Sequence, residues 1–223
     1  MLYLEAVAYW YFRLNGYLTI QNFVVHPDSG TDQETDIDVI AARFPFRAEN
    51  LRRPMLDDPA LLGHTRRRPR VNRIHLVFAE VKSGQCALNG PWTRADRQNM
   101  QRTLAAVGAF PCDMLNPVAS ALYEFGVFRD AQYKVSLVCL GARQDQRVQD
   151  RYPDVPQILW THVADFIFDR FTKYRRQKLS HPQWDSTGQK LWDVAEECSN
   201  NMDFRHVLSG LLPPGTFGAT AVS

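Results

Sequence analysis

The sequence is poor in the features that most quickly assign a function. Its 223 residues include only four cysteines, at 86, 112, 139 and 198, and no two are spaced like a zinc knuckle or a redox pair. Six histidines are scattered without zinc spacing, and there is no phosphate-binding loop or dinucleotide fingerprint. A net charge of +2 leaves no global field that would demand nucleic acid or a membrane surface. No apolar run is long enough to cross a bilayer. The opening stretch MLYLEAVAYWYFRLNG lacks a basic leader region, carries Glu5 early and reaches Arg13 too soon. The expectation is a cytoplasmic chain with reduced thiols and no membrane partner. Internal repeats and low-complexity tracts are absent.

What is present is 45% apolar and 22% charged residues, the balance of a globular protein long enough to bury a core without disulfides or metals. Residues 2–14 read as a helix apolar nearly all round, closed by Asn15-Gly16. Strands are predicted over 17–25, 35–44 and 71–82, with HPDSGTDQ as turn chemistry between the first two. Thr93, with Asp96 three residues on, reads as the cap of a helix running to Gly108. A short helix around 117–125, strands at 133–141 and 156–160, and helices at 162–178 and 185–199 complete the pattern. The order predicts an α/β (α+β) domain with helices packed on a mixed sheet. Its expected divisions are a main domain over 1–180 with an insertion at about 45–72, a helical extension at 181–206 and a loose tail at 207–223.

One strand end is chemically odd. In IHLVFAEVK the alternation of side chains places Ile74, Leu76, Phe78, Glu80 and Lys82 on one face, so an apolar face ends in a carboxylate and an ammonium. On the preceding strand, TDIDVIA, Asp36 and Asp38 share a face and Ile37, Val39 and Ala41 line the other. If these strands pair as a hairpin, Asp38 and Glu80 meet at adjacent strand ends, with Asp36 as the alternative to Asp38. Two such carboxylates repel unless a cation sits between them. A hard divalent cation takes one or two carboxylates, a backbone carbonyl and several waters. Lys82 beside it can hydrogen-bond an attacking water or a phosphate oxygen.

Asp38 in TDIDVIA, followed by Glu-x-Lys in AEVKSG, resembles the PD-(D/E)xK nuclease superfamily, with its restriction-endonuclease-like core of helix, three-stranded meander, helix and strand. The resemblance covers about residues 1–141. It implies a Mg²⁺-dependent nuclease (Mn²⁺ substituting) that cuts phosphodiester bonds, as a DNA endonuclease of the kind found in defence systems. It assigns the metal to Asp38, Glu80 and the Val81 carbonyl and the assisting role to Lys82. Glu5 becomes the first-helix carboxylate, acting through water or a second metal. A polar residue on the helix after the motif meets the substrate phosphate: Gln98, with Arg94 and Arg102 as alternatives at intervals of four. The long gap between Asp38 and Glu80 and the missing Pro before Asp depart from the family pattern. A silent or purely nucleic-acid-binding subunit of the same fold is the competing expectation. Cutting both strands favours a homodimer or a partner subunit.

Over residues 43–73 nine arginines stand against Glu49, Asp57 and Asp58. Arg66, Arg67, Arg68 and Arg70 are the densest group and the natural phosphate contacts. A second basic run, Arg170, Lys173, Arg175, Arg176 and Lys178, reads as a solvated helix face, and Trp92 and Trp160 read as packing residues.

Overall fold

The structure, a computed structural model, describes residues 1–26, 35–62, 72–179 and 184–218. The chain begins with α1 (Leu4–Leu14), then the hairpin β1 (Leu18–Val25) and β2 (Thr35–Arg43), the short α2 (Pro59–Leu62) and β3 (Ile74–Val81). Next come α3 (Gly90–Thr93), a 3-10 turn (Ala95–Arg97), α4 (Asn99–Val107) and α5 (Cys112–Phe125). The strands β4 (Val127–Arg129) and β5 (Tyr133–Gly141) follow, then α6 (Gln146–Arg151), β6 (Gln157–Leu159) and α7 (Trp160–Lys173). The helices α8 (Arg175–Lys178), α9 (Ser186–Glu197) and α10 (Asn201–Ser209) complete it. The fold is mixed α/β. The sheet has six strands in the order β1-β2-β3-β5-β4, with β6 also paired to β5. The β1-β2-β3 meander is antiparallel, β3 and β5 are parallel, and so are β5 and β6. Among the described residues no helix is long and apolar enough to cross a membrane.

Alternation along the strands feeds two cores. Val39, Ala41, Val77, Ala79 and Val81 pack with α1, α7, α9 and α10. Ile40, Leu76 and Phe78 pack with α4 and α5. Trp10, Tyr11 and Phe12 of α1 are completely buried, each contributing about 1.5–3 kcal/mol of transfer free energy. A Cβ on Gly188 would meet the Trp10 ring at 1.9 Å, so only glycine lets α9 approach α1 this closely. Leu191, Trp192, Phe204, Leu208 and Leu212 all enter that core, and the Leu2 amide donates to the Leu211 carbonyl at 2.7 Å. The expected C-terminal extension is thus part of the main core. The expected loose tail is tied in as far as the buried Thr216, and only 219–223 lie outside the described residues.

The insertion after β2 is held by charge. Asp57 accepts from Arg43 at 2.5 Å and from Arg47 at 2.9 Å, with Arg170 at 3.8 Å. Glu49 takes Arg47 and Lys178. Arg170 is 2% exposed and Lys178 is buried. These two leave the solvated face predicted for them because Asp57 and Glu49, more than a hundred residues earlier, neutralise them. Of the other expected phosphate-binding arginines, Arg52 and Arg53 are exposed, and Arg66, Arg67, Arg68 and Arg70 lie outside the described residues.

Asp58 ties the same segment to two helices. Its carboxylate accepts from Tyr11 at 2.7 Å and contacts His162 Nε2 at 2.6 Å, and its amide donates to Asn15 Oδ1 at 2.7 Å. Burial pushes the Asp58 carboxyl up, but the hydrogen bonds from His162 and Tyr11 outweigh it and hold the group below its ordinary value. The hydrogen bond to Asp58 raises the pKa of His162, with burial opposing in part. The two signs bracket a window. The lowered Asp58 contributes above its unfolded pKa and loses that contribution as pH falls. The raised His162 contributes below its unfolded value of about 6.5 and loses it as pH rises through the folded one. The stability difference between the native chain and His162→Gln is therefore expected to peak at weakly acidic pH and shrink on both sides, as read by thermal melts across a pH series. Because the His162 side chain is 45% exposed, solvent keeps the difference small.

Candidate active site at the parting of β2 and β3

The pairing of β2 with β3 ends at Val39 and Ala79. Beyond it the Val81 amide donates to Asp38 Oδ2 at 2.7 Å. A carboxylate therefore satisfies the N–H that the separating strands would leave without a backbone acceptor. The hairpin changes face at the same level. Val39 belongs to the α1–α7 core, but Ile37 packs with Phe23 and Val25 in the α4–α5 core. On β1, Asn22 adopts φ +50° between Gln21, which pairs with Val39, and Phe23, which pairs with Ile37. This corrects the prediction of one shared face for Ile37, Val39 and Ala41. The side chain of Asp36 lies outside the described ones.

Glu80 is 3% exposed and lies beside Phe78 on the α4–α5 side. Trp92 stacks on the Phe78 ring, with centroids 6.2 Å apart and planes within 7°, and donates Nε1–H to Glu80 Oε2 at 2.7 Å. Lys82 and Asn89 both donate to Oε1. Burial pushes the Glu80 carboxyl up; Lys82 and Trp92 pull it part of the way back, and the negative charge of Asp38 pushes it up again. Asp38 and Glu80 are thus electrostatically coupled at one strand end.

Lys82 is the first residue past β3. Its amide donates to the Leu140 carbonyl at 3.0 Å and its carbonyl accepts from Trp160 Nε1 at 2.7 Å. The backbone is fixed while the side chain stays 31% exposed. The ammonium consequently stands between a buried carboxylate and solvent. Asn89, Trp92 and Trp160 are the members of this site that sequence reading missed. The available signal was that a buried indole N–H requires an acceptor.

The remaining predicted residues are placed otherwise. Glu5 is half-buried on the side of α1 that carries Tyr9 and Arg13, and among the described residues its carboxylate has no hydrogen bond or ion pair. The structure does not join it to Asp38 and Glu80. It needs no buried partner because it is not fully buried. Among the described residues no three His, Cys, Asp or Glu side chains form a metal-holding group. Gln98 is exposed and left-handed, at φ +56°, between the 3-10 turn and α4. The predicted continuous helix from Thr93 is broken there, so Arg94, Gln98 and Arg102 do not share a helical face. The Thr93 hydroxyl bonds back to the Asn89 and Gly90 carbonyls, which closes α3 where a forward cap was expected. Arg94 pairs with Asp96 at 2.9 Å, and Arg102 donates to the Arg97 carbonyl at 2.6 Å.

No family model matches the chain, and neither a curated protein nor a solved structure matches it.

Proposed function

We propose that this chain is a divalent-metal-dependent nuclease of the PD-(D/E)xK type, acting on phosphodiester bonds in DNA. The observation that carries the reading is the Asp38 carboxylate bound to the Val81 amide where β2 and β3 part, coupled to a buried Glu80 that holds Lys82. The element order supports it: α1, the β1-β2-β3 meander, α4 and α5, then β5 parallel to β3.

The donor set suits a hard cation. Two carboxylate side chains and the Val81 carbonyl are oxygen donors, and a pair of carboxylates leaves the rest of an octahedral shell to water and substrate, as Mg²⁺ or Mn²⁺ requires. A cation between them would also offset the burial and the Asp38 repulsion that together raise the Glu80 carboxyl. When bound, it would supply Lewis-acid stabilisation of the phosphoryl oxygens and a more acidic water. Asp38 and Glu80 orient the reacting centre from two fixed strands. Trp92 holds Oε2 of Glu80, leaving Oε1, bound by the half-exposed Lys82 and the exposed Asn89, as the exchangeable oxygen. The Lys82 ammonium, released toward solvent, hydrogen-bonds the attacking water or a non-bridging phosphate oxygen. Glu5 and Gln98 have no part in this reading.

A non-cleaving subunit of the same fold is favoured by one observation, that both oxygens of Glu80 already have partners within the protein. Supercoiled plasmid incubated with Mg²⁺ or Mn²⁺ separates the two. The native chain is expected to nick it, and Asp38→Asn and Lys82→Ala each to lose about 10²–10³-fold in rate. Equal cleavage by all three proteins would falsify the nuclease assignment. Salt-sensitive binding without cleavage would move the chain to the second reading.

A further inference from the structure

A cavity of about 280 Å³ opens beside the Asp38–Glu80 site, at the carboxyl ends of the parallel strands β3 and β5. Crevices at that end of parallel strands are the usual ligand sites of open α/β sheets. One wall is Ser83, Gly84, Ala142 and Arg143, and the other comes from Pro214 and Gly215 near the C-terminus. Among the described residues no carboxylate lines it, and Arg143 is the one charged side chain there.

The position of Arg143 relative to Lys82 is fixed by backbone. Past the strand ends, Ala142 donates to the Gly84 carbonyl at 2.5 Å and Cys86 to the Arg143 carbonyl at 2.8 Å. The two loops nearly touch: a Cβ on Gly141 would lie 2.8 Å from the Cys86 amide nitrogen. Strand spacing puts the Arg143 backbone within about 10 Å of that of Lys82. The Arg143 side chain is exposed, and among the described residues its guanidinium has no hydrogen bond or ion pair. Gly84 and Gly215 both face open space. The cavity is thus a backbone-lined groove with an uncommitted guanidinium on a fixed stretch of backbone, a donor suited to bidentate phosphate recognition.

We propose that this groove carries the phosphodiester backbone of DNA where it leaves the Asp38–Glu80 site, with Arg143 binding one phosphate, a proposal that rests on the nuclease reading of that site. It is tested by anisotropy titration of a fluorescein-labelled DNA duplex with the full chain in EDTA, where no cleavage occurs. Arg143→Ala is expected to weaken binding roughly tenfold and to reduce the slope of log K against log salt by about 1. Gly84→Asp, which has room for its side chain and adds a negative charge to the groove, is expected to weaken it similarly, and Gly84→Ala to leave it unchanged. Inorganic phosphate at matched ionic strength is expected not to displace the duplex. The proposal is overturned if the native chain does not bind, if Arg143→Ala and Gly84→Asp bind with native affinity and slope, or if inorganic phosphate alone competes. Arg143-dependent binding by a chain that cuts no plasmid would sink the nuclease reading and keep the groove.

Discussion

Glu80→Gln is expected to abolish Mg²⁺-dependent cleavage, by about three orders of magnitude, while leaving the metal-free protein at least as stable as the native chain at neutral pH. The second half follows from the sign of the Glu80 shift. Burial and Asp38 raise its folded pKa, so above the unfolded value the native state binds more protons than the unfolded state. Stability is fully present below the ordinary carboxylate range and is lost as pH rises toward the folded pKa. Glutamine removes that loss, and its single carbonyl can still accept from Trp92. Below the carboxylate range both proteins carry a neutral group and their melting temperatures converge. Saturating Mn²⁺ at about a hundred times its dissociation constant adds about 2.7 kcal/mol to the native chain, and the variant gains far less. Were Glu80 instead a structural partner of Lys82, the outcome would reverse. Glu80→Gln would melt well below the native chain in EDTA, and Mn²⁺ would raise neither melting temperature.

The convergence of Asp38 and Glu80 was legible because each sits on a strand with readable alternation, and a hairpin brings their ends together whatever is inserted between them. Lys82 followed from its i, i+2 relation to Glu80. What failed was information that the local pattern does not contain. Glu5 falls on an apolar helix, but which stripe of that helix is buried depends on α7 and α9. Gln98 reads as mid-helix because nothing in RADRQNMQ announces a left-handed residue. Pro117 made α5 look like a short helix beginning near it, although the helix starts at Cys112 and carries the proline inside. The cap of α10 was readable in retrospect: Asn200 accepts from the Met202 and Asp203 amides at 2.9 and 3.0 Å. Arg170 and Lys178 were misplaced for the opposite reason. Their partners are distant in sequence, so a basic helix face looked solvated when it was the floor of an ion-pair cluster.

Asp57→Ala is expected to give the largest loss of stability of any single substitution in that cluster, about 3–5 kcal/mol. Asp57 is the shared anion of Arg43, Arg47 and Arg170. Without it, Arg43 and Arg170 lose their carboxylate partner among the described residues, and both are buried where an unpaired charge is costly. Removing one cation is milder, because Asp57 keeps two others. Arg170→Met, which retains the apolar stem between Phe166 and Tyr174, is expected to cost less than half as much as Asp57→Ala. Urea unfolding of both variants, alone and combined, measures the difference. In the double variant the lone aspartate vacancy no longer faces a buried Arg170, so the combined loss is expected to fall short of the sum of the two. Strict additivity would mean that Asp57 and Arg170 do not interact across their 3.8 Å separation. The insertion would then be held to α7 by Asp58 and the Leu56 carbonyl, and not by the ion cluster.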